Sequence, residues 1–195
     1  MVEKDKITEE KVKRSGIFDF KDTYQFAYRW LRDEDYDVEE KKYIEDVGAD
    51  SKKVEIKWEA TKKITDYFKI ELKLDWRVLG LVNVEVEKDG KKIKTNKGGF
   101  ELKISGTLIR DYQSSWDRNP MYKFLRGIYD KYIILGTVKK YEMKVFTEVE
   151  TLAEEIKAFL TIEGMKWFLK MNAKSLGFKD KRKINLNGRI NKTPK

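Results

Sequence analysis

From Phe68 to Val86 the chain alternates without interruption, with Phe68, Ile70, Leu72, Leu74, Trp76, Val78, Gly80, Val82, Val84 and Val86 on one parity. The other parity is mostly charged: Lys69, Glu71, Lys73, Asp75, Arg77 and Glu85. A period of two sends the two sets to opposite faces of a strand, so this segment belongs to a sheet with one buried and one solvated face. Nineteen alternating positions exceed the roughly 3 to 10 residues of an ordinary strand. The spacing therefore predicts two strands, or one sharply bent strand, with Gly80 at the break.

Shorter versions of the pattern lie on either side. Val54, Ile56, Trp58 and Ala60 alternate with Glu55, Lys57 and Glu59, and Phe100, Leu102, Ile104, Gly106 and Leu108 alternate after Lys97-Gly98-Gly99, which reads as a turn. Lys88-Asp89-Gly90-Lys91 supplies an Asp-Gly hairpin, and a less regular strand is expected through Val38 and Tyr43. The expected core is thus an antiparallel meander of five or six strands.

Helical spacing appears at both ends. Phe20, Tyr24, Ala27 and Leu31 predict a helix over 21–34, with Asp19 or Asp22 as its cap. Asn119-Pro120 followed by Met121, Phe124, Leu125, Ile128 and Tyr132 predicts a second over 120–134. Val138, Tyr141, Val145, Val149, Leu152, Ile156 and Phe159 predict a third over 138–162. The fold class is α+β: the sheet carries one N-terminal helix and two or three C-terminal helices packed on it. Residues 1–16, polar and aperiodic, read as a flexible leader, 17–164 as a single domain, and 165–195 as a basic amphipathic segment and tail.

Composition removes several chemistries. With no cysteine and no histidine, the chain lacks thiolate nucleophiles, imidazole bases and the ligands of common zinc sites. Glutamine occurs only as Gln25 and Gln113 beside abundant Lys and Glu, a thermophile-like bias. The N-terminus has no apolar signal-like stretch, and no apolar run approaches the roughly 20 residues that cross a bilayer, so a cytoplasmic location is expected.

Charge is distributed unevenly. Met165 to Lys195 holds ten basic residues and one acid, Asp180, whereas residues 1–164 hold thirty-three of each, so the entire net charge of +9 sits at one end. A concentrated positive field on a neutral body attracts RNA, DNA or anionic lipid. The residues expected to make such contacts are Lys166, Trp167, Lys170, Lys174, Lys179, Lys181, Arg182, Lys183, Arg189 and Lys192. Trp167 is included because an aromatic within a basic segment can stack on a base.

Other candidates have simpler explanations. Glu55-Ile56-Lys57, Glu71-Leu72-Lys73 and Glu101-Leu102-Lys103 each resemble the core motif of the PD-(D/E)xK nucleases, and Asp89 with Glu101 and Lys103 is the best triplet. Any charged strand face yields Glu-x-Lys, however, and three copies point to cross-strand ion pairing. The acidic run Asp33, Glu34, Asp35, Asp37, Glu39 and Glu40 lacks the glycine and spacing of a calcium loop. No catalytic, cofactor-binding or metal-binding residue is assigned.

Two stretches, Phe68 to Trp76 and Lys123-Phe124-Leu125-Arg126-Gly127-Ile128-Tyr129-Asp130-Lys131-Tyr132, resemble an uncharacterised archaeal protein family. The resemblance spans roughly residues 20–160, implies no activity, and excludes the basic end. The sequence is thus read as a non-catalytic binding protein whose C-terminal arm contacts RNA or a ribonucleoprotein particle. Three alternatives stand beside it. One is a helix-grip-like module with a hydrophobic ligand between Trp58, Trp76, Phe100 and the 138–162 helix; another is a peripheral protein on an anionic membrane surface through Met165 to Leu176; the last is the metal-dependent nuclease.

Overall fold

The structure, a computed structural model, describes residues 2–88, 91–113 and 135–175, with side chains for all of these except 86–88, 91–93 and 162–175. In chain order the elements are β1 (Glu3–Phe18), α1 (Phe20–Asp33), β2 (Asp37–Val47), β3 (Lys52–Lys63), β4 (Phe68–Lys88), β5 (Lys91–Arg110) and α2 (Leu135–Ser175). All strand pairs are antiparallel, in the order β1-β5-β4-β3-β2. The expected helix over 120–134 lies outside the described residues, as do Asp89-Gly90 and 176–195.

The N-terminal leader is a correction. Residues 3–18 form a strand paired with β5 along its whole length, from Glu3 opposite Arg110 to Phe18 opposite Asn96. Its alternation is obscured for two reasons: the register shifts between Lys6 and Thr8, and the buried-face parity includes Glu10 and Arg14 as well as Val12 and Phe18. A bulge of this kind reverses the parity of everything beyond it. Order here comes from pairing with residues about a hundred positions away, which no local window detects.

The long alternating segment is one bent strand. Gly80 takes φ +62°, and the β4–β5 register shifts between Leu79 and Val82. Lys97-Gly98-Gly99, expected as a turn, instead lies inside β5 at this bend. A Cβ on Gly98 would come within 3.0 Å of the Leu79 carbonyl oxygen and 3.1 Å of that of Gly80. Gly16 of β1, at φ +120°, is the cross-strand partner of Gly98. Glycines in three adjacent strands therefore share one line across the sheet: Gly16 and Gly80 take positive φ there, and at Gly98 the backbones come too close for a side chain.

Both described helices cover the same sheet face. Asp19 caps α1, accepting a 2.9 Å hydrogen bond from the Asp22 amide. The apolar stripe of α1 packs on the aromatic end of the sheet, with Tyr24 against Trp58 at 4.6 Å between ring centroids. In α2 the buried residues are Val138, Val145, Val149, Leu152, Ala153, Ile156 and Leu160; of the expected stripe, Tyr141 and Phe159 are only half-buried, and Phe159 stacks on Phe26 of α1 at 4.7 Å between centroids. A Cβ on Gly106 would lie 2.6 Å from Val145 Cγ1 and 2.8 Å from Val149 Cγ2, so this glycine is where α2 seats on β5. Helix α2 continues through Gly164 to Ser175, beyond the expected end at 162. One interior glycine costs only about 1 kcal/mol relative to alanine, too little to end a helix flanked by good helix formers. Among the described residues, no helix is long and apolar enough to cross a membrane.

Candidate functional site

The charged face of the sheet is paired internally. Glu101 meets Lys13 at 3.4 Å, Lys103 meets Glu9 at 3.1 Å, and Glu55 meets Lys53 at 2.9 Å and Lys42 at 3.5 Å. Lys6 and Lys103 together hold the Glu9 carboxyl down to about 2. A groove of about 280 Å³ on this face sets Lys11, Lys57, Arg77 and Lys103 against Glu55, Asp75 and Glu101. Four bases and three acids interleave along it instead of segregating, so it does not concentrate charge of either sign. Glu71 departs from the surface pattern: its side chain is only 5% exposed and lies 3.4 Å from both Lys4 and Lys73. Among the described residues, no three acidic side chains converge as metal ligands would, and Asp89 of the nuclease triplet lies outside them.

On the opposite face, Trp58, Trp76 and Phe100 form a buried aromatic series rather than an exposed stacking platform. Trp58 meets Trp76 at 5.0 Å and Trp76 meets Phe100 at 5.8 Å between centroids, both edge to face. Glu40 caps this series, accepting hydrogen bonds from the Tyr24 hydroxyl at 2.7 Å and from Trp58 Nε1 at 3.2 Å. Burial, with help from Glu40, pushes the Tyr24 phenol up to about 12. Among the described residues, nothing accepts a hydrogen bond from the buried Trp76 Nε1.

A third cluster was not anticipated. The buried Tyr36 hydroxyl donates to Glu148 Oε2, and Lys62 Nζ donates to Glu148 Oε1 at 3.2 Å while lying 5.2 Å from the Tyr36 ring centroid. Glu34 also approaches Lys62, at 3.8 Å. Burial and the adjacent Glu148 carboxylate drive the Tyr36 phenol well above its ordinary value, so it keeps its proton and is a poor acid at neutral pH. Both Glu148 oxygens are occupied, and the cluster fastens α2 to the β2 and β3 ends of the sheet. Its one sequence signal was Lys62 itself, which continues the core parity of β3 past Ala60.

The residues singled out for polyanion contact divide in two. Positions 166, 167, 170 and 174 lie on the last turns of α2, where 166, 170 and 174 follow one another at intervals of four. Lys179, Lys181, Arg182, Lys183, Arg189 and Lys192 lie outside the described residues. No family model matches the chain, and no curated protein or solved structure is similar to it.

Proposed function

We propose that this chain is a non-catalytic binding protein that engages a polyanion, RNA or a ribonucleoprotein particle, through its basic C-terminal end. The contacting residues are Lys166, Trp167, Lys170, Lys174, Lys179, Lys181, Arg182, Lys183, Arg189 and Lys192. One observation carries this reading: the charged face of the sheet consumes its own charges in cross-strand pairs such as Lys13–Glu101 and Lys103–Glu9. The excess of +9 therefore remains concentrated at 165–195. The same pairing argues against the nuclease alternative, since Glu101 and Lys103 are each engaged with a neighbouring strand.

The test is RNA affinity as a function of salt. Residues 177–195 contain seven basic residues and one acid. If about five of these charges meet phosphates, log K against log salt should fall with a slope of about −3.5 for single-stranded RNA. Deleting 177–195 should largely flatten that slope while leaving the circular dichroism of the body unchanged. Binding unaffected by the deletion, or no binding at low salt, would overturn the proposal.

A further inference from the structure

The two edges of the sheet differ in charge and in cover. On β1, acids and bases nearly balance, with four acids and five bases over residues 3–18. The other edge, β2, is almost wholly exposed along its length. Residues 33–47 carry eight acids and two bases, and the whole 33–63 hairpin still carries eleven acids against seven bases. Three large apolar side chains are also exposed on β2: Tyr43 at 51%, Ile44 at 44% and Val47 at 69%. Among the described residues nothing pairs with the outer side of β2, so its outward amide and carbonyl groups are open to a further strand.

The chain beyond Ser175 contains a segment of matching character. From Lys183 to Ile190 the residues alternate, with Ile184, Leu186, Gly188 and Ile190 on one parity and Lys183, Asn185, Asn187 and Arg189 on the other. Lys181, Arg182 and Lys192 flank it. This is the pattern of a half-buried strand with basic ends. We propose that the outer edge of β2 is the docking site for the chain's own segment Lys183–Ile190, added as a sixth strand by β-augmentation.

Two arguments select this occupant. Charge is complementary: the acids that keep two β2 edges from pairing with each other attract a basic strand, and the nearly balanced β1 edge lacks that preference. Apolar surface is complementary as well, because the Ile184, Leu186 and Ile190 face would cover Tyr43 and Val47, which share one parity of β2. The inference does not depend on the polyanion reading, since a docked tail requires no RNA.

Hydrogen exchange on the full chain tests it, with Leu186→Pro as the decisive variant. Proline there keeps every charge but removes a strand amide and clashes with regular pairing. Amides of β2 should exchange slowly in the wild-type chain and at least tenfold faster in Leu186→Pro, with β4 and β5 unchanged in both. Glu39→Lys combined with Asp46→Lys, both on exposed positions of β2, should produce the same acceleration. Equal β2 exchange in wild type and Leu186→Pro would overturn the proposal. Sedimentation at the same concentration should give a monomer; a dimer whose β2 protection rises with concentration would overturn docking within one molecule. RNA binding by Leu186→Pro separates this from the polyanion reading, because loss of that reading would leave the β2 exchange result intact.

Discussion

Gly106→Ala is the sharpest test of how α2 meets the sheet. The added methyl would sit 2.6 Å from Val145 Cγ1 and 2.8 Å from Val149 Cγ2, against an optimal carbon–carbon separation of about 3.5–4.0 Å. Neither valine can easily turn aside, because β-branched residues in a helix hold essentially one χ1 rotamer. Relief therefore requires α2 to lift from β5 by roughly 1 Å, or both side chains to strain. Overpacking of this kind costs about 1–3 kcal/mol, offset by about 0.5–1 kcal/mol gained on removing a glycine from a strand interior. The net is a loss of up to about 2.5 kcal/mol. At about 2–4 °C per kcal/mol for a chain of this size, the melting temperature should fall by up to about 10 °C.

The assay is a thermal and urea melt of a double-mutant cycle with Val145→Ala. Shortening Val145 removes the nearer contact, so the double variant should be more stable than the sum of the single losses by about 0.5–1 kcal/mol. Gly106→Val, which adds more carbon at the same point, should be the most damaging of the set. If Gly106→Ala melts at or above the wild-type temperature and shows no coupling to Val145, the helix does not seat at this glycine and the packing of α2 described above is wrong.

Two further outcomes follow from burial. Leu72→Asp, at a fully buried position, should unfold the domain by placing an unpaired charge in the core, whereas Lys73→Asp, with a side chain 52% exposed, should leave it folded and cost only its pairing with Glu71. The reverse order of damage in thermal melts would show that the β4 faces are exchanged. Lys62→Met removes the main partner of Glu148, whose side chain is 12% exposed. Because Tyr36 and Lys144 remain nearby, the loss should be about 1–3 kcal/mol in urea unfolding, below the range of about 3–5 for a fully buried pair. Adding Glu148→Leu should recover most of it, and a neutral single variant would remove the cluster as a clamp.

The legible parts of this fold were those where a local period and burial coincide. Trp58, Trp76, Leu102 and Ile104 announce their faces because strands β3, β4 and β5 are covered on one side and wet on the other. The stripe from Val138 to Ile156 likewise announces α2. Strand β1 was illegible because it is an edge with a bulge and with Glu10 and Arg14 on its inner parity, so its order derives from distant partners, β5 and α2. The Gly98-Gly99 pair was misread because a turn and a close approach of strands both select glycine, the first for positive φ and the second, at Gly98, for want of space. Only the partners Leu79, Gly80 and Gly16 distinguish the two. The Tyr36–Lys62–Glu148 cluster joins residues 112 positions apart, a distance at which spacing carries no information. Of the candidate contact residues, positions 166, 170 and 174 could be placed at helical intervals from sequence, and α2 gives them that spacing.

The two proposed roles of the C-terminal end are linked through one equilibrium. A tail docked on β2 is unavailable to RNA, so the apparent affinity for RNA falls by the fraction of chains with the tail free; if a tenth are free, the loss is tenfold. Salt acts on both sides of this competition, because it weakens the attraction between basic tail and acidic edge as well as that between tail and phosphate. The salt slope of the wild-type chain should then be shallower than the value of about −3.5 expected for five phosphate contacts. In Leu186→Pro, where the charges remain and the strand cannot pair, the full slope should return together with a higher affinity at low salt. A tail that only bound RNA would give the same slope in both chains, and a tail that only docked would give no RNA binding in either, so the pair of titrations assigns the seven basic residues of 177–195 to one partner, to the other, or to an exchange between them.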